Sequence, residues 1–427
     1  MRSMQAQAPS TMMERILRLM AEKKASDVYL SANAPATIKI NGQHMPINSQ
    51  ILPPEAVLNL LMDVVSPNRI EELKETGELN LAIPVQGVGN FRLSAMRQRG
   101  SYAAVLRYIS PDIPLLESLN LPTVLNQLVM EKRGLILMVG ATGAGKSTTL
   151  ASMLDLRNRS VSGHILTIED PMEFVFTNRK SLINQREVGG DTANMHVALR
   201  NALRQAPDVI MIGEIRDRET MSAAISYAQS GHLCLSTLHA NNSYQALNRI
   251  LNFYPVEVRS TLLGDLAASL KAVVSQRLVR TVEGGRVPAV EVMLNTKLIA
   301  DLIEKGDFGG VKEAMINSMA EGSQTFEEDL ARLINEGVID RKEGLAHADS
   351  PTNLMWRLQN DTLRSGGKQR EEERPNDEPS FTDITLDVRP DQRNHSGFSQ
   401  SGMSGHSLRG SDFENSGSGS VIASRLG

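Results

Sequence analysis

Five apolar residues, Leu135–Val139, run straight into Gly140-Ala141-Thr142-Gly143-Ala144-Gly145-Lys146-Ser147, and a helical pattern follows. No other stretch restricts the fold so strongly. An octet of this form between a strand and a helix is a phosphate-binding loop. Its glycines let backbone N–H groups curl around phosphate oxygens, and the helix N-terminus adds partial positive charge. Lys146 is expected to reach the β- and γ-phosphates and the Ser147 hydroxyl to sit on Mg²⁺, with Thr148 completing the nucleotide-binding set. The loop implies a nucleotide, but not its use.

Three further apolar runs follow: Ile165–Ile168, Val209–Ile212 and Leu233–Ser236. Near-continuous apolar strands belong to a sheet covered on both faces. Helical patterns are read between and after them, through about residue 345, which gives a doubly wound α/β domain with a helical C-terminal portion. Two runs end in carboxylates. "ILTIEDPMEF" delivers Glu169 and Asp170 before Pro171 turns the chain, and "DVIMIGEIRD" delivers Glu214. Ligands bind at that edge of a parallel sheet. One acid can hold the metal shell while the other acts as base or orders the attacking water; the residues leave open which does which.

In "GHLCLSTLHANN", His232 and His239 flank the last run, and Thr237 and His239 stand at its carboxyl end. A histidine beside a γ-phosphate can sense nucleotide state through a hydrogen bond, whereas a core histidine satisfied by its neighbours does nothing of the kind. No third ligand at suitable spacing makes the pair a metal site. Arg92, Arg97 and Arg107 lie on β-like runs nearer the N-terminus, and Arg200 and Arg204 precede "PDVIMIGE". An arginine donated across a subunit boundary accelerates phosphoryl transfer by roughly 10³–10⁵. One or two of this set are expected to act.

The rest of the chain divides by composition. Residues 1–13 read as a disordered leader and 14–110 as a small α+β domain with an antiparallel sheet. Within it, Asn41-Gly42 predicts a two-residue hairpin turn, and "PPEAVLNLLMDVV" and "PNRIEELKETG" predict helices with a proline early in each. Proline-rich 111–133 reads as a linker, 134–350 as the nucleotide-binding domain, and 351–427 as a mostly disordered tail. From about 361 that tail is too rich in Ser, Gly and charge to offset chain entropy by burial. A net charge of −4 gives no reason to expect a nucleic-acid partner. The single cysteine, Cys234, forms no internal disulfide and no four-thiolate zinc site, and points to a reducing compartment. Without an 18-residue apolar run, the expectation is a soluble cytoplasmic protein.

"GATGAGKST", "TIEDPMEF", "APDVIMIGEIRD" and "GHLCLSTLHANN" together resemble, in order and spacing, the Walker A, Asp box, Walker B and His box of the secretion-type ATPases that drive type IV pili and type II secretion. The resemblance covers about residues 14–355, and "ASDVYLSANAPATIKINGQ" is similar to that family's PAS-like N-terminal domain. It implies a RecA-like P-loop ATPase domain behind a small PAS-like α+β domain. It also implies ATP and Mg²⁺ as ligands, a homo-hexamer, and arginines supplied partly by a neighbouring subunit. In family terms Glu169 is the catalytic base, Glu214 the Walker B acid, and His232 and His239 couplers of nucleotide state. Extension and secretion members usually carry a tetracysteine zinc insertion, which Cys234 alone cannot make, so the chain is similar to the PilT/PilU retraction branch. Where PilT-type chains carry "AIRNLIRE", residues 298–305 read "LIADLIEK", with Ala300 and Glu304 in place of the arginines. With the late "HADSPTNL", this resembles branch members that act alongside a PilT-type retraction ATPase. The implied setting is the cytoplasmic face of the inner membrane at the pilus base, against an inner-membrane platform protein, and the implied task is pilus retraction and twitching motility. The alternative is a mainly structural accessory ring subunit with weak or dispensable hydrolysis.

Overall fold

The computed structural model describes residues 11–364 except 41–42, 86, 110–111 and 318–319. The first helix, α1 (Met12–Glu22), starts where the Thr11 hydroxyl accepts the Glu14 N–H, and it buries Met13, Ile16, Leu17 and Met20 along one face. The predicted leader thus overlaps a capped helix from Thr11 onward. Strands β1 (Asp27–Ser31), β2 (Pro35–Ile40) and β3 (Gln43–Ile51) precede α2 (Ala56–Met62) and α3 (Pro67–Thr76). Then come β4 (Glu78–Val85), β5 (Gly89–Gln98) and β6 (Ser101–Ile109). The six strands form one antiparallel sheet in the order β3-β2-β1-β6-β5-β4. Ile40 pairs with Gln43, as a two-residue hairpin requires; Asn41 and Gly42 themselves lie outside the described residues. Val28, Leu30, Phe91, Leu93 and Leu106 meet α1–α3 in a separate core. Pro67 opens α3 as expected, whereas Pro53 and Pro54 stand ahead of α2 rather than inside it.

The expected linker is an extended connection only in part. Leu116, helix α4 (Val124–Leu128) and Val129 are buried against the second sheet, because "LLESLNLPTVLNQLVM" is too apolar to stay in water.

The second sheet is built from β7 (Gly134–Val139), β8 (Gly163–Glu169), β9 (Ser181–Glu187), β10 (Val209–Ile212), β11 (Leu233–Leu238), β12 (Leu270–Arg280) and β13 (Arg286–Leu294). Their order is β13-β12-β7-β11-β10-β8-β9, all parallel except the antiparallel edge strand β13. Helices α5 (Lys146–Ser160), α6 (Met195–Ala202), α7 (Arg218–Gln229), α8 (Ser243–Asn252) and α9 (Arg259–Ser269) connect them. Successive side chains point to opposite faces. Leu135, Leu137 and Val139 therefore join the core under α6–α9, while Ile136 and Met138 join the one under α4 and α5. Cys234 is fully buried on β11, where burial pushes its thiol up.

Three strands correct the helical reading. β9 alternates buried and exposed positions as an edge strand does, and β12 and β13 form a hairpin closing around Gly284-Gly285. Runs such as "AVVSQRLV" and "VPAVEV" are β-branched, which favours strands. The helical C-terminal portion begins later, with α10 (Lys297–Lys305), α11 (Phe308–Ile316), α12 (Phe326–Asn335), α13 (Arg341–His347) and α14 (Pro351–Arg364). Leu354 and Leu358 of α14 are buried with Leu330 and Leu333 of α12, so ordered structure passes the expected boundary at 350. Residues 365–427 of the expected tail lie outside the described residues. Among the described residues no helix is long and apolar enough to cross a membrane.

Candidate active site

β7 ends at Val139, and the chain then turns through three left-handed glycines, Gly140, Gly143 and Gly145, before α5 begins at Lys146. Gly145 is the N-cap and offers no side-chain acceptor, so the first-turn N–H groups of α5 face the loop without a side-chain cap. Six of the predicted loop residues, Thr142, Gly143, Gly145, Lys146, Ser147 and Thr148, line one cavity of about 480 Å³. The other three predicted loop residues, Gly140, Ala141 and Ala144, do not line it. The buried Lys146 ammonium donates to the carbonyls of Gly140 and Ala141, at 2.9 Å each. Burial lowers its pKa, with Glu214 and Glu173 acting in the opposite direction.

The carboxyl ends of β8, β10 and β11 form the facing wall. Gly213, after β10, lies so close to β8 that a Cβ there would sit 3.3 Å from Glu169 Cα, which lets Glu169 and Glu214 share the cavity. Glu169 is 6% exposed. Burial pushes its pKa up to about 7 against the hydrogen bonds that hold its charge, from Thr167 Oγ1 at 2.7 Å, Gln185 Nε2 at 3.3 Å and the Glu173 backbone. A carboxylate with that value is poised to exchange a proton near neutrality. Glu214 is different. Its Oε1 lies 3.1 Å from His239 Nε2 and its Oε2 accepts from Arg216 Nε at 2.7 Å. Arg216 also reaches Asp170 Oδ2 at 3.1 Å, so the two strand-end motifs are bridged. Thr237 Oγ1 donates to the Gly213 carbonyl at 2.7 Å and fixes β10 beside β11. A cis Asp170–Pro171 bond follows β8, and Glu173 and Phe174 complete that side of the cavity.

His239 joins the site; His232 does not. His232 stands at the amino end of β11, roughly 20 Å from His239 by strand rise. There its Nδ1 lies 3.3 Å from the Tyr227 carbonyl and its own carbonyl accepts from Gly134 N–H. His232, which the resemblance implies as a coupler of nucleotide state, therefore lies away from the cavity that His239 lines, because a strand places its two ends at opposite edges of the sheet.

The arginines also separate. Arg107 is tied to buried Asp27 at 2.8 Å inside the N-terminal domain. Arg97 donates to the Lys74 carbonyl and stacks over Tyr102. Arg92 differs. Burial and Arg107 lower its pKa, while Glu173, Glu187 and Asp170 of the second domain raise it, so its charge is within electrostatic reach of Glu173 and Asp170 of the cavity wall. Arg200 lines a separate shallow groove beside α7, and Arg204 donates to Asn201 at 3.2 Å. Among the described residues no cluster of three or more His, Cys, Asp and Glu is placed to hold a metal ion by itself.

Sequence reasoning missed several contributors. Leu278 and Arg286 of the β12–β13 hairpin line the cavity. Gln185 holds Glu169, and its amide also ties down the backbone of Phe174 and Phe176. Gln276 lies behind the phosphate loop. Gln276 sits in the polar trio Ser275-Gln276-Arg277, which interrupts an apolar β run, and reading that run as helix concealed it.

The chain matches the family described as Type II/IV secretion system protein over residues 4–307. It is 48% identical to the type IV pilus ATPase PilU of Pseudomonas aeruginosa over 342 residues, covering 80% of this chain and 90% of that one. It is 38% identical to the type IV pilus retraction ATPase PilT of the same organism over 339 residues, covering 79% and 98%. A crystal structure of the pilus retraction motor PilT with bound ADP superposes with a TM-score of 0.76 at 38% identity, over 81% of this chain and 99% of that one. The loop, the two strand-end acids and these matches make this chain a member of the Type II/IV secretion system protein family, the secretion ATPase superfamily.

Proposed function

We propose that this chain hydrolyses ATP as a hexameric motor of type IV pilus retraction and twitching motility. The observation that carries the reading is one cavity holding a glycine phosphate loop with Lys146, a carboxyl group with pKa near 7 (Glu169) and a second, ion-paired carboxylate (Glu214). The relatives named pilus ATPases, and the ADP-bound PilT structure, support the same nucleotide.

The geometry supports the following roles. Loop N–H groups and the α5 N-terminus cradle the phosphates, and Lys146 turns from the loop carbonyls to phosphate oxygens. Mg²⁺ fits the residues present: Ser147 and Glu214 offer hard oxygen donors beside the loop, and the nucleotide's phosphates supply others. When bound, the ion neutralises charge developing on the phosphates. Glu169, largely dehydrated and close to its pKa at neutrality, takes the proton of the attacking water. His239, bonded to Glu214, registers the presence of the γ-phosphate and passes that state to the loop after β11. Arg92 approaches the phosphates from the N-terminal domain. Closure over ATP and reopening after hydrolysis then supply a mechanical stroke. In this reading the ring sits at the cytoplasmic face of the inner membrane, pushes on a platform protein there, and works with a PilT-type retraction ATPase.

A second reading, a mainly structural accessory ring, is favoured by α10. There Ile299 and Ile303 are buried, but Ala300 and Glu304 stand where PilT-type chains carry arginines. ATP turnover of the purified protein, alone and mixed with a PilT-type motor, separates the two. Turnover alone that Lys146→Ala abolishes supports the motor; turnover only in the mixture supports the accessory ring.

A further inference from the structure

We infer that Gln276, on β12, is a positioning residue that sets the phosphate loop for nucleotide binding; this rests on the nucleotide reading of the cavity. Gln276 is 3% exposed, and both ends of its carboxamide are used. Its Nε2 donates to the Ala144 carbonyl at 2.7 Å, and its Oε1 accepts from Thr149 Oγ1 at 2.8 Å. Ala144 belongs to the loop and Thr149 to the first turn of α5, so one amide group ties loop and helix to a strand that is neither.

The direction of the first bond matters. A trans peptide is planar, and its C=O and the following N–H point to opposite sides. Holding the Ala144 carbonyl toward β12 therefore aims the Gly145 N–H away from β12, to the side where a phosphate is bound. Without that restraint the Ala144–Gly145 peptide is free to rotate, and the cradle loses a fixed donor.

Two loop glycines carry the imprint of the same residue. A Cβ on Gly145 would sit 2.7 Å from Gln276 Nε2, and one on Gly140 would sit 2.5 Å from the Gln276 carbonyl. Both have left-handed backbone, at φ +86° and +155°. These glycines are thus required by the approach of β12 as well as by their own conformation. Only a glutamine meets the arrangement in full, since it must donate to one partner and accept from the other. Glutamate accepts but cannot donate when ionised, and methionine has a similar length with neither function.

The test is ADP affinity and steady-state ATP kinetics of the full chain for wild type, Gln276→Met, Gln276→Glu and Thr149→Val, with nucleotide-free melting temperature as control. Gln276→Met and Gln276→Glu are expected to weaken ADP binding at least tenfold. The kinetic loss should fall on KM for ATP more than on kcat, as loss of a ground-state phosphate contact requires. Thr149→Val leaves the Ala144 bond in place and should weaken binding about threefold. A merely structural role would instead lower the melting temperature and the active fraction at unchanged affinity. ADP affinity within twofold of wild type for both Gln276 variants overturns the inference; should either fail to fold, unchanged affinity in Thr149→Val does the same. Wild type that binds no ADP removes the nucleotide reading itself, a different failure from variants that match a binding wild type.

Discussion

The two edges of the parallel sheet carry the same kinds of side chain and treat them differently. At the amino edge, His232 faces the Tyr227 carbonyl, and Asp208 accepts the backbone N–H of His164 at 2.7 Å. His164 in turn lies against the Ala206 carbonyl and the Asn184 amide. Those groups are absorbed by their neighbours. At the carboxyl edge, His239, Glu214, Glu169 and Lys146 all open onto one cavity: His239 pairs with Glu214, Lys146 with the phosphate loop, and Glu169 is held by Thr167 and Gln185. Histidine and carboxylate are not rare enough to mark a site. Their position relative to the strand ends decides, because the carboxyl edge faces the helix N-termini and the loops between strand and helix.

The largest expected contrast comes from Lys146→Ala and Glu214→Ala. Each should reduce ATP turnover at least a thousandfold, measured as phosphate release, with the loss of Lys146 also abolishing ADP binding. Glu169→Gln comes next, with a loss of roughly 10²–10⁴ in kcat, the range for a general base.

The same Glu169 change should stabilise the fold, which sharpens the contrast between chemistry and packing. Burial raises the Glu169 pKa from the usual 4.5 to about 7. The unfolded chain therefore releases this proton first as pH rises. The folded state keeps it until about 7, so stability from this group is full below about 4.5 and is lost on going up through about 7. The difference amounts to roughly 3 kcal/mol above that pH. Glu169→Gln should melt higher than wild type at pH 8 and show no gain at pH 4. Equal melting at both would mean the carboxylate is better solvated than its burial indicates.

His239→Ala should cost about ten- to a hundredfold in turnover, since it removes one bond to a charged group. His232→Ala, at the opposite edge, should change turnover by no more than about twofold. A reversal of that order, read in one side-by-side assay, would break the comparison between the edges.

Much of the carboxyl edge could be read from the chain because each of its parts is local. A strand, its terminal acid and the following turn are contiguous, so "ILTIED", "VIMIGE" and "LCLSTLH" each show where a side chain emerges. What stayed hidden depends on distance or on edges. Gln276 meets a loop 132 residues away, and its polarity identified no partner. β9, at the sheet's edge, lacks the unbroken apolar run of the central strands, and Gln185 on it touches Glu169 only through sheet order. The two histidines of one motif are legible as flanking a strand, which sets them at opposite edges of the sheet. Likewise the linker reading rests on proline content and the tail reading on Ser, Gly and charge. Leu116, Leu125, Leu354 and Leu358 nevertheless reach cores that only tertiary packing creates.

Hydrolysis of ATP at the carboxyl edge with Glu169 as base is the proposal on which the rest depends. The most direct measurement is kcat/KM for ATP from about pH 5.5 to about pH 9, for wild type and Glu169→Gln. With Glu169 as base, the wild-type rate should fall tenfold per pH unit below an apparent pKa near 7, and the variant should keep a flat, residual rate. A wild-type profile flat through that range, or a variant that keeps wild-type turnover, would contradict it.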